Sequence, residues 1–113
     1  MAVAPVKQET PIIEPQKPSG CEIVSLYNWD YRTAKAVCLA ESGGDPTASN
    51  WNDHHNGCIG SFGLMQIACI HTAGKAEYDP YKNMAIAYNI YKDSGWSPWG
   101  AFTSGKYLQY LQN

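Results

Sequence analysis

A single glutamate, Glu41, ends the run from Ala36 just before Gly43 and Gly44. Ala34, Val37 and Cys38 precede it by seven, four and three residues, a spacing that puts side chains near one helical face. A carboxyl group closing an apolar stripe is desolvated, which disfavours its charged form unless a cation lies nearby. No Lys or Arg occurs between Ala36 and Gly74, so the local sequence supplies none. An acid that keeps its proton near neutral pH can protonate a leaving group. The plainer alternative is a glutamate at a helix end that faces water.

Other residues can take part in the same chemistry. Such an acid can work with a second Asp or Glu, as nucleophile or as base for water. Asp45 stands before Pro46, where an aspartate commonly closes a turn on its own backbone. Asp53, in the polar run Asn50–Gly57, is the better candidate for a second carboxylate. The side-chain amide of Gln66 can bind an acetamido group or Glu41, or it can satisfy backbone. Ser61 can donate a hydrogen bond near Glu41, and Asn50 can cap or bind a polar ligand. Met65 and Tyr88 complete the candidate substrate-binding set, Met65 with more of a core character and Tyr88 with a share in helix packing. Trp51, Trp96 and Trp99 offer flat apolar faces for a ligand ring, although Trp96 and Trp99 suit a core. Adjacent His54 and His55 point apart and have no evident third partner, so no metal site is expected. No cofactor is implied.

These residues need elements to hold them. Asp30 can cap a helix from about Tyr31 to Ser42, with Gly43-Gly44 stopping it. A second helix follows Asp79 as N-cap and Pro80 as first residue, with Met84, Ala87, Tyr88 and Tyr91 on one stripe and Gly95 at its end. Cys21–Trp29 and Gly105–Asn113 read as short helices. Residues 45–62 have loop composition, with room for a small hairpin around 50–67. Gly63–Ile67 can be a short strand or a helix entry, which periodicity does not decide. The class is therefore mainly α, of the α+β kind.

The chain has 113 residues, enough for one small core. Its formal net charge of −2 gives no electrostatic footprint for nucleic acid or an anionic membrane. No apolar stretch approaches the ~20 residues that span a bilayer, so no membrane insertion is expected in this segment. Residues 1–20 carry four of the seven prolines, with Lys, Glu and Gln between them, and read as a flexible tail or linker before a domain at 21–113. No apolar leader is visible at the N-terminus, so a signal peptide has been removed or export takes another route. Four cysteines without a CxxC pair favour two disulfides and an oxidising compartment. If the first two helical segments form a hairpin turning near Trp29-Asp30, Cys21 and Cys38 lie side by side. If the next stretch doubles back near Phe62, Cys58 and Cys69 meet. These are one of three pairings that four cysteines allow.

The series ESGGDP (Glu41–Pro46), GSFGLMQI (Gly60–Ile67) and YDPYKNMAIAYNIYKDSGWSPW (Tyr78–Trp99) resembles, in that order, the soluble lytic transglycosylase domain of the goose-type-lysozyme-like branch of the lysozyme superfamily. The resemblance covers about residues 21–110. It implies a lysozyme-like fold with a short β-hairpin region beside the cleft. It makes Glu41 the catalytic acid, Gly63–Gln66 the cleft floor, and Asp79–Tyr91 a helix that braces the catalytic one. It further implies peptidoglycan glycan strands as partner and the β-1,4 bond from N-acetylmuramic acid to N-acetylglucosamine as target. Glu41 would act first as acid and then as base, leaving a 1,6-anhydro-muramyl end. The loop around Asp53 is longer than in many such domains, so a water-using muramidase stays open. So does a non-catalytic glycan-binding or assembly module. The expected setting is extracytoplasmic, and the expected state is a monomer.

Overall fold

The computed structural model describes residues 17–111, and the first sixteen residues of the proline-rich tail lie outside them. Helix α1 runs Tyr31–Ser42. The Asp30 carboxylate accepts the Thr33 backbone N–H at 2.9 Å, and the Gly43 N–H closes the far end on the Leu39 carbonyl at 2.8 Å. Ala34, Ala36, Val37 and Cys38 form its buried side. Helix α2 runs Pro80–Ser94, with the Asp79 carboxylate accepting from the N–H groups of Tyr81 and Lys82. Both helices start and stop where the capping residues dictate.

Between them lies a three-stranded antiparallel sheet in the order β1-β2-β3. Strand β1 is Ser49–His55, β2 is Cys58–Phe62 and β3 is Ile67–Ala68. Most of the stretch read as loop is therefore strand. The two-residue turn Asn56-Gly57 joins β1 to β2 with both φ angles positive, 49° and 84°, the geometry that matches the twist of paired strands. Strand β1 is exposed along almost its whole length, so it carries no apolar alternation. Gly63–Gln66 is neither strand nor helix; it is the turn that reverses β2 into β3, pairing Ser61 with Ala68 and Phe62 with Ile67.

The C-terminal segment adds a four-residue helix, α3 (Gly100–Thr103), that the sequence did not disclose, and then a 3-10 helix, Lys106–Tyr110, lying against α1. About half of the described residues are helical, and the fold is α+β and lysozyme-like.

The core gathers Ile23, Val24, Val37, Leu64, Met65 and Met84, all fully buried. Trp29 sits at its aromatic edge. Its indole N–H donates to the Val24 carbonyl at 2.8 Å, and its ring meets Tyr88, Tyr91 and Trp96 at centroid distances of 5.2–5.4 Å. The last tail residues join this packing, since the Tyr81 hydroxyl donates to the Pro18 carbonyl and Lys17 lies over the Tyr81 ring. Packed structure thus begins a few residues before Cys21.

Two disulfides, Cys21–Cys38 and Cys58–Cys69, close the described cysteines, with Cα separations of 5.7 and 5.9 Å. The first ties the opening 3-10 helix, Gly20–Leu26, to α1. The second pins the start of β2 to the residue after β3. Each closes a short loop and stabilises by roughly 3 kcal/mol in the chain-entropy model, a large share of a small domain's stability. Reduction is therefore expected to lower the melting temperature by more than 10 °C, a shift that follows from roughly 3 kcal/mol in a domain of this size. Paired thermal melts with and without reductant check this, and identical melts would contradict it.

Candidate active site

Glu41 projects from the last turn of α1 into a cleft of about 1060 Å³. The cleft is lined by residues of α1, β1, β2 and α3 and by Lys106. Glu41 gets there because helix periodicity puts it on the buried face, while Gly43 turns the chain away. Ser42 supports that turn: its hydroxyl donates to the Cys38 carbonyl at 3.1 Å and accepts the Gly44 N–H at 3.1 Å.

The Ala101 N–H at the start of α3 donates to Glu41 Oε2 at 3.1 Å. Burial pushes the Glu41 carboxyl above the ordinary carboxylate range. The Ala101 hydrogen bond opposes this, the negative charge of Asp53 adds to it, and the positive charge of Lys106 opposes it. Burial is the largest of these influences, and the net shift is upward. Both opposing groups come from the C-terminal segment, about 60 residues downstream of Glu41.

Asp53 lines the same cleft from β1. The buried Ser61 hydroxyl on β2 donates to Asp53 Oδ2 at 2.6 Å, so Ser61 orients the second carboxylate. A register irregularity in β1 between Asn50 and His54 lies where Asp53 is placed. Asp45 is outside the cleft lining, and its carboxylate accepts the Thr47 hydroxyl and N–H, a local turn bond.

Gln66 lines the cleft, but its amide is committed: Nε2 donates to the Ala48 and Gly63 carbonyls at 3.1 and 2.9 Å. These bonds hold its backbone at φ 50°, a left-handed conformation that costs a non-glycine residue energy. Asn50 is exposed on the cleft wall and accepts the Asn52 N–H. Met65 and Tyr88 are not brought to the cleft. Met65 is fully buried, while its N–H and carbonyl bond Asn83 and Trp99. Tyr88 packs on Tyr27 and Trp29 and donates to the Asn28 carbonyl at 3.3 Å, on the aromatic side of α2.

Of the turn Gly63–Gln66 expected as the cleft floor, only Gln66 lines the cleft, and the turn is held from behind by Asn83, fully buried on α2. Its Oδ1 accepts the Met65 N–H at 2.9 Å, and its Nδ2 donates to the carbonyls of Phe62 and Glu77, both at 2.8 Å. Gly63 sits directly beneath, at φ 80°. A Cβ there would fall 2.3 Å from Asn83 Nδ2, so both its backbone angle and its space call for glycine. The Trp99 indole N–H adds a bond to the Met65 carbonyl at 2.8 Å. The α2 helix thus braces the Gly63–Gln66 turn, of which Gln66 reaches the cleft.

Sequence reasoning did not find Ala101 and Lys106. A backbone N–H carries no residue-type signal, and a lone lysine in Thr103–Tyr107 has none either. His55 and His71 also face the cleft. Among the described residues, no group of three or more His, Cys, Asp or Glu is arranged to hold a metal ion.

Because Asp53 raises the Glu41 pKa, the Asp53→Asn variant is expected to lower it. Any rate that needs protonated Glu41 falls as pH rises through that pKa, so the alkaline limb of the pH–rate profile should move to lower pH. A limb that stays in place would show that Asp53 does not act on Glu41 electrostatically.

A search of curated proteins and one of solved structures each find no match. The family model described as a lysozyme-like domain matches residues 25–101. The matched span begins within the opening 3-10 helix and ends at the residue whose N–H holds Glu41. It covers more than half of the chain, and the protein belongs to this lysozyme-like domain family.

Proposed function

We propose that the protein cleaves peptidoglycan glycan strands at the β-1,4 bond between N-acetylmuramic acid and N-acetylglucosamine, as a lytic transglycosylase with Glu41 as its acid and base. The observation that carries this is the Glu41 carboxyl, half-buried at the wall of the cleft and held by the Ala101 N–H, in a lysozyme-like domain. With Oε2 accepting from Ala101, Oε1 is the oxygen available to hold the proton. Transfer of that proton to the glycosidic oxygen breaks the bond as positive charge develops at the muramyl C1. The carboxylate left behind is stabilised by the Ala101 N–H and by Lys106. It then removes the proton of the muramyl C6 hydroxyl, whose oxygen bonds to C1 and closes the 1,6-anhydro ring. No water is consumed.

One observation favours a second reading. Asp53 lies on the same cleft, fixed by Ser61, where a carboxylate can activate water or stabilise C1. That route is hydrolysis and ends in a reducing muramyl residue. Mass spectrometry of digested muropeptides separates the two. Anhydro ends support the transglycosylase. Products heavier by one water, lost in Asp53→Asn, establish the muramidase. No soluble product from intact peptidoglycan would leave a glycan-binding module. The two disulfides suit action outside the cytoplasm.

A further inference from the structure

The proline-rich tail enters the domain against an aromatic ring. The Tyr81 hydroxyl, in the first turn of α2, donates to the Pro18 carbonyl, and the Lys17 ammonium lies 4.9 Å from the centre of the same ring. Two residues on, Gly20 meets the loop that follows α1: a Cβ there would lie 3.6 Å from the Gly44 carbonyl oxygen. That loop leads to Ser49, whose hydroxyl is 2.6 Å from the Tyr78 hydroxyl. Tyr78 begins an aromatic row. Its ring meets Phe62 at 5.7 Å between centroids, and Phe62 meets Trp51 at 4.9 Å. None of the three lines the cleft. Trp51 is the most exposed large apolar side chain among the described residues, and Tyr78 is half-buried.

An aromatic row suits a proline-rich strand, because a polyproline-II chain is preformed and loses little entropy on docking. The tail has the matching period. Polyproline II repeats every three residues, so Pro18, Pro15 and Ile12 share one edge of it, while Ile13 and Glu14 do not. Pro18 to Ile12 spans about 19 Å in that form, and the row asks for only two ring-to-ring steps beyond Tyr78. We propose that residues 12–16 of this chain lie along the row, with Pro15 against Tyr78 and Ile12 against Trp51, continuing the contact that Pro18 makes with Tyr81. The occupant is the chain's own tail because the tether at Pro18 holds it at an effective concentration on the order of millimolar, which a free proline-rich peptide would have to match. A seated tail covers Trp51 and steadies the first half of β1, where the neighbouring Asn50 lines the cleft.

The test uses the full chain, isotope-labelled for NMR. Nuclear Overhauser contacts should join the Ile12 methyl groups to the Trp51 indole and the Pro15 ring to the Tyr78 ring. Ile12→Asp should abolish the Trp51 contacts and shift the Trp51 indole N–H signal, whereas Ile13→Asp, on another edge of the strand, should leave both in place. Both positions lie before the described domain, and its remaining amide signals report that it stays folded. Absence of these contacts would overturn the proposal, as would equal effects of Ile12→Asp and Ile13→Asp at Trp51. So would contacts that appear only between labelled and unlabelled copies in a mixed sample, which would make the occupant the tail of a second molecule.

Discussion

Glu41→Gln is expected to lose cleavage by at least ~10²–10⁴-fold, the loss typical when a general acid–base is removed, while keeping its fold. The amide is nearly isosteric, and its oxygen can still accept the Ala101 N–H. What it cannot do is give up a proton and take one back. Stability should move the other way. The folded-state pKa of Glu41 is raised, so burial favours the protonated form. Below the ordinary carboxylate pKa both folded and unfolded chains carry the proton, and the side chain adds no penalty. As pH rises through the raised pKa, the folded state must hold a desolvated charge and stability is lost. The variant should therefore melt above the wild type at pH 7, with the gap closing at pH 4. Muropeptide release and melting curves at the two pH values check both halves. A folded variant with near wild-type lysis would refute the role of Glu41.

The second large effect concerns Asn83. Truncation to alanine removes three hydrogen bonds from a fully buried position and leaves the Met65 N–H and the Phe62 and Glu77 carbonyls without that partner. Each buried polar group left unsatisfied costs about 1–3 kcal/mol; local relaxation offsets part of the sum, and a net loss of about 3–5 kcal/mol is expected. Against a total stability of roughly 5–15 kcal/mol, this corresponds to a fall in Tm on the order of 20 °C. Asn83→Asp keeps the acceptor for Met65 but sets a buried carboxyl oxygen against the Phe62 and Glu77 carbonyls, so at pH 7 it should fall at least as far as Asn83→Ala. Calorimetry of the three proteins reads the series. A shift of only a few degrees for Asn83→Ala would mean that water or a relaxed turn replaces the amide.

What could be read from the sequence was local. Asp30, Gly43, Asp79 with Pro80, and Gly95 act within one helical turn, and each marks a real boundary. The stripe Ala34–Val37–Cys38 likewise placed Glu41 on the inner face, because periodicity is a property of neighbours. Strand β1 was obscured by its exposure, since a strand with water on both sides shows no alternation. Its one readable sign was Asn56-Gly57, a turn pair set among polar residues that look like loop. Helix α3 has no side-chain cap and only four residues, too little for any pattern. Gln66 shows the limit of residue type. An amide suited to sugar serves the backbone instead, and only the folded position of the Ala48 carbonyl decides that. The Ala101–Glu41 bond joins residues 60 apart and is written in no motif.

Strand β1 forms one edge of the sheet, and such an edge presents a row of N–H and C=O groups to which another chain can add. Trp51, 62% exposed, would make that addition more favourable. The irregularity between Asn50 and His54 breaks the row, and Asp53 and the two histidines break its apolar continuity. The segment that carries a carboxylate into the cleft therefore also interrupts the template for aggregation. Shortening it by one residue would reverse the facing of the side chains beyond the deletion and straighten the edge. Turbidity in concentrated protein would then rise as Asp53 left the cleft, which makes colloidal stability and site geometry two readings of one bend.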